Sequence, residues 1–105
     1  MAQFDYYANP NPRTRKTYPY LLDIQSRLLD QLCTRIVVPL APMSGVGQAH
    51  LKKLNPVVSI NDQNFAILTQ QLAAIDGQRL GKVMGNLKEF RSDILAAVDL
   101  LITGF

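Results

Sequence analysis

The apolar positions of this chain change their period once. Up to about residue 72 they come in short runs separated by polar or proline-containing stretches, and from Leu87 onward they recur at helical spacing. Short bounded runs rich in β-branched and aromatic residues predict strands. Gln3 to Ala8 is the first, followed by Asn9 to Lys16, whose two Asn-Pro pairs and three cations predict a hairpin loop or an exposed excursion. Tyr20 to Gln25 and Thr34 to Leu40 are the next strands, joined through Ser26 to Cys33. Pro39 is expected at a strand end or edge, because proline cannot donate to a ladder. Ala41 to His50, with Pro42, Gly45 and Gly47, is expected to be a loop. Pro56 to Ile60 and Phe65 to Leu72 then form a hairpin across Asn61 to Asn64, where Asn and Asp suit a tight turn.

From Leu87, apolar residues fall at Phe90, Ile94, Ala97, Val98 and Leu101, which line one face of a helix at 100° per residue. Asn86 is the expected N-cap, with Glu89 three residues on in a capping-box arrangement, and Gly104 sits where a helix end favours a left-handed residue. Ser92, Ala96, Asp99 and Thr103 lie opposite the core stripe, with Leu95, Leu100 and Ile102 on its flanks. The apolar surface near the end of the helix is wider than one sheet covers, which predicts burial of Leu100, Leu101 and Ile102 against a second copy of the chain, the alternative being a tail that plugs the open end of the barrel. Several strands followed by one helix describe an α+β fold, a small, strongly bent antiparallel β-sheet or barrel with a C-terminal helix.

Composition sharpens this only modestly. A chain of 105 residues supplies one core, so residues 1–105 are read as a single domain. The formal charge of +3 comes from scattered cations, clustered only at Arg13, Arg15 and Lys16 and at Lys52 and Lys53, without the interleaved aromatics of a nucleic-acid platform. Cys33 is the sole cysteine, which excludes an internal disulfide and fits a reducing compartment. No run approaches the roughly 20 apolar residues of a membrane span. No export signal is read in the first residues, so a cytoplasmic location is expected.

Candidate chemistry is sparse. The SGVG stretch lacks the third glycine of a dinucleotide fingerprint and the Gly-Lys-Ser/Thr of a P-loop. With one histidine, His50, and one cysteine, no metal-ligand spacing exists, and neither a metal nor a cofactor is expected. Cys33 borders an apolar strand and is expected to be a small core residue. Asp23 and Asp30, seven residues apart, form no catalytic pair. Arg35 with Thr34 leaves one catalytic alternative, cleavage of RNA through stabilisation of phosphate charge.

In order, the segments YLLDIQSRLLD, TRIVVPLAP, PVVSI, FAILTQQLAAI and RSDILAAVDLLITGF resemble the CcdB family of bacterial toxins over the whole chain. The resemblance implies a homodimer with a CcdB/MazF/PemK-like, SH3-like barrel and a C-terminal helix, carrying no catalytic residues. It also implies poisoning of DNA gyrase through its A subunit, with the DNA held cleaved, and neutralisation by a CcdA-like antitoxin. Operator DNA would be bound only through that antitoxin. Carried onto this chain, gyrase contact falls on Ser92, Ala96, Asp99, Thr103, Gly104 and Phe105. Antitoxin contact falls on Asn9, Arg13, Arg15, Lys16 and Met43, in the first loop and part of the second. The plasmid-type pattern has a tryptophan where this chain has Thr103, and the chain has no tryptophan. Loss of such a stacked contact removes roughly 0.5–2 kcal/mol. A MazF-like endoribonuclease and an inactive homologue are the alternatives.

Overall fold

The computed structural model describes residues 1–46 and 51–104. Seven strands form one antiparallel sheet: β1 Asp5–Ala8, β2 Tyr20–Asp23, β3 Thr34–Pro42, β4 Val57–Ile60, β5 Gln63–Ile67, β6 Ala73–Asp76 and β7 Val83–Asn86. The order is β4-β5-β3-β2-β1-β7, with β6 paired to the first half of β3 beside β5. The sheet curls into a half-barrel, and one long helix, α2 Arg91–Thr103, packs on it. The α+β expectation therefore holds.

Period-two alternation divides the sheet into two faces. Tyr6, Leu22, Val38 and Leu40 point into the main core, which Phe65, Leu87 and Ile94 complete. Tyr20 stacks edge-on between Tyr6 and Phe65, with ring centroids 5.3 Å from each. Tyr7, Val37 and Leu80 form a smaller cluster with Leu21 and Ile75 on the other face. The β4–β5 turn places Asn61 and Asp62 at φ 51° and 65°, the left-handed pair that a two-residue hairpin requires. Phe4 is also left-handed at φ 72°, held by its N–H on the Asp23 carbonyl (2.6 Å) and its carbonyl under the Leu87 N–H (2.8 Å).

Several expectations are corrected. Pro39 lies inside β3, opposite Leu21 of β2. It is tolerated because its carbonyl accepts from Leu68 N–H, so its missing donor faces the same side, where β3 passes from partner β6 to partner β5. The first part of the expected loop at Ala41 to His50 is the end of β3 and a single helical turn, α1 Met43–Val46, while 47–50 lie outside the described residues. The expected strand to Leu72 stops at Ile67 and turns through a 3-10 helix, Thr69–Gln71. The helix proper begins at Arg91. Asn86 instead stands just before a 3-10 turn, Lys88–Phe90, whose N-cap is Leu87, and accepts from Lys88 N–H at 2.8 Å while donating to Gln3 O and Asp5 Oδ1. Asn86 thus ties the start of the helical segment to β1. Gly104 ends α2 as expected, left-handed at φ 81°, with its N–H on Leu100 O at 3.0 Å.

Candidate functional site

Helix α2 buries Ile94 and Ala97 and leaves Ser92, Ala96, Asp99, Thr103 and Gly104 exposed. The expected outer face therefore exists as one surface, although Phe105 lies outside the described residues. The Thr103 hydroxyl donates to Asp99 O at 2.7 Å, turning it back onto its own helix. Among the described residues a Cβ built on Gly104 meets nothing within 4 Å, so there the left-handed φ is what restricts the residue.

The flanks of α2 differ from one another. Leu100 is half-buried, whereas Leu101 and Ile102 are exposed, Ile102 to 71%. Leu101, expected in the core stripe, is exposed instead. Beside this end of the helix runs a groove of about 980 Å³, lined by Met43, Lys52, Lys53, Pro56, Val57, Asn64, Asp93, Ala96 and Leu100. Met43, Ala96 and Leu100, which the sequence assigned to three different partners, share this one concavity. Pro56, Val57 and Asn64 join it from the β4–β5 hairpin, and no local pattern marks them because they converge only through tertiary packing.

The first loop is built around Asn9. Its side chain is buried, donating to Thr14 Oγ1 (3.0 Å) and Tyr18 O (2.8 Å) and accepting from Asn11 N–H (3.0 Å). Asn9, a candidate antitoxin contact, is consumed in shaping the loop. Arg13, Arg15 and Lys16 are exposed on it, and among the described residues the only ion pairs are those of Arg35.

Arg35 is where the catalytic alternative meets the structure. Its guanidinium is 1% exposed, with Nε on Asp23 Oδ2 at 2.8 Å, Nη2 at 2.7 Å from the same oxygen, and Nη1 on Asp30 Oδ1 at 3.1 Å. Asp23 and Asp30, unrelated by sequence pattern, are brought together on one arginine. Burial pushes the Asp23 carboxyl above its ordinary pKa, against the Gln25 backbone donor and Arg35, which act to lower it. Burial alone would lower the Arg35 value, but the hydrogen bonds it donates to Asp30 and Asp23 hold it above its ordinary value. A guanidinium enclosed in this way offers nothing to a phosphate. Cys33 is exposed rather than a core residue, since it ends the turn before β3 and burial begins only at Arg35.

No three His, Cys, Asp or Glu cluster as a metal site among the described residues, and no described helix is long and apolar enough to cross a membrane. The candidate site comprises a helix face, an apolar helix end and the two segments around Asn9–Lys16 and Met43. Residues 3–104 match the family described as CcdB protein. With nearly the whole length matched and a curled half-barrel closed by one terminal helix, the chain belongs to the CcdB family, toxins of toxin–antitoxin systems that are not themselves enzymes.

Proposed function

We propose that this toxin acts as a homodimer that binds the A subunit of DNA gyrase through the outer face of α2, Ser92, Ala96, Asp99, Thr103 and Gly104, together with Phe105, and traps the enzyme on cleaved DNA. The observation that carries this reading is the open space at Gly104. A glycine whose added Cβ would meet nothing among the described residues, at the end of an exposed helix face, leaves room for close backbone approach by a partner. Leu101 and Ile102 supply the apolar area for a second copy, next to the groove that holds Leu100. Asp99 gives the face an acidic group that complements a cationic patch on gyrase. A CcdA-like antitoxin is held at the Asn9–Lys16 loop and near Met43, where the loop's exposed Arg13, Arg15 and Lys16 suit an acidic segment that folds on binding. Operator DNA is reached only through that antitoxin, and the toxin works in the cytoplasm, where gyrase is.

Expression in cells with wild-type gyrase and in cells whose gyrase A subunit resists such toxins tests the reading. Killing confined to the wild-type cells supports it. Equal killing in both places the target elsewhere.

A further inference from the structure

Among the described residues only two buried side-chain polar atoms have no hydrogen-bond partner, Tyr7 Oη and Arg35 Nη2. Both side chains are 1% exposed. They belong to one face of the sheet. Tyr7 pairs with Leu21 and Leu21 with Pro39, so by strand alternation Tyr7, Asp23, Val37 and Arg35 lie on the side opposite Leu22 and Val38, which pack with Ile94 of α2. Tyr7 packs there on Val37 and Leu80. Arg35 Nε donates to Asp23 Oδ2 at 2.8 Å and Nη1 to Asp30 Oδ1 at 3.1 Å, whereas Nη2, although 2.7 Å from that same Asp23 oxygen, is not aligned to donate to it. Burial first, then the Asp5 and Asp23 carboxylates, hold the Tyr7 phenol above its ordinary value against the opposing charge of Arg35, so it stays an O–H at neutral pH. Donors left bare in an enclosed site are costly, and two of them on one sheet face point to one shared ligand.

We infer that a single water molecule is bound between Tyr7 Oη and Arg35 Nη2 as an integral part of the fold. The donor set selects the ligand. A guanidinium nitrogen offers hydrogens and no lone pair, so the ligand must accept there, which a metal cation cannot do. An anion would accept, but it would stand beside Asp23 and Asp30, two carboxylates against one arginine. Water accepts from Arg35 Nη2 and exchanges a second hydrogen bond with the Tyr7 hydroxyl, as donor or acceptor, and brings no charge into the enclosed site. Arg35 already ties β2, through Asp23, to the turn at Asp30. The water adds β1 to that tie, so three consecutive strands are joined by polar contacts on this face as well as by their ladders.

The test is a high-resolution crystal structure of the full chain, repeated after a bromide soak, together with urea unfolding of Tyr7→Phe. The inference expects one density peak within about 2.7–3.2 Å of both atoms and no anomalous bromide signal at that place. Tyr7→Phe keeps the ring on Val37 and Leu80 and removes one partner of the water. Its unfolding equilibrium constant should rise about fivefold, the equivalent of one net hydrogen bond of about 1 kcal/mol. A bare hydroxyl would give the opposite sign, because its removal relieves an unmet donor. A direct Tyr7–Arg35 hydrogen bond with no peak between them, bromide at the site, or a Tyr7→Phe protein as stable as the wild type or more so overturns the inference. The crystallographic arm stands without the variant.

Discussion

Asp23 and Arg35 face each other across β2 and β3, Arg35 Nε donating to Asp23 Oδ2 at 2.8 Å with both side chains almost wholly enclosed. Asp23 also accepts from Gln25 N–H at 2.9 Å, and Gln25 in turn accepts from Ile36 N–H and donates to Leu29 O. The pair therefore fixes the path of the chain between the two strands. Removing one member leaves the other charged and buried, which costs about 3–5 kcal/mol. Asp23→Ala is expected to lower stability by this order in urea unfolding, with the more exposed Asp30 unable to compensate.

The same carboxylate makes stability depend on pH. Burial raises the folded-state pKa of Asp23 above its ordinary 3.8, so between those two values the native state holds more proton than the unfolded chain. The contribution of this group must then fall as pH rises upward from 3.8 and level off once both states are ionised. Thermal midpoints measured across that window should show this decline superimposed on the other carboxylates, and Asp23→Asn should remove it.

Gly85 sits against a ring. A Cβ there would lie 2.7 Å from Tyr6 Cε1 and Oη, and Tyr6 belongs to the main core. Gly85→Ala therefore forces Tyr6 from its edge-on contact with Tyr20, and the overpacking is expected to cost about 1–3 kcal/mol in the same unfolding measurement. Gly104→Ala, where the added carbon meets nothing, should cost only the roughly 1–2 kcal/mol of a left-handed non-glycine residue.

Two residues of α2 distinguish folding from the proposed association. Ile94→Ala empties the core and should cost about 2–5 kcal/mol. Ile102→Glu, at a position open to solvent in the monomer, should leave each protomer folded and shift sedimentation toward the monomer. An unchanged dimer would remove Ile102 from the interface.

What the sequence revealed follows from the size and periodicity of each element. The helix was legible because its 3.6-residue stripe runs through Ile94 and Ala97 and its end is marked by Gly104. The β4–β5 hairpin was legible from Asn61 and Asp62. Strands β6 and β7 were not read, because AAID and VMGN are four residues each, mostly exposed, and show no clear alternation. The outer face of α2 could be drawn on a helical wheel, since exposure there is a local property. The groove beside it could not, because it collects residues from separate segments. The Asp23–Arg35–Asp30 cluster was hidden for a related reason: the three residues meet only after β2 and β3 pair and the intervening turn folds back.

The central claim, that the exposed end of α2 acts on gyrase, is most directly tested by incubating purified gyrase, ATP and supercoiled plasmid with this protein, then adding detergent and protease and resolving the DNA on a gel. The account expects linear DNA that requires gyrase and is lost with Gly104→Arg, a variant that circular dichroism should show to be folded. Linear DNA that persists with Gly104→Arg, or none at all from the folded wild-type protein, would contradict it.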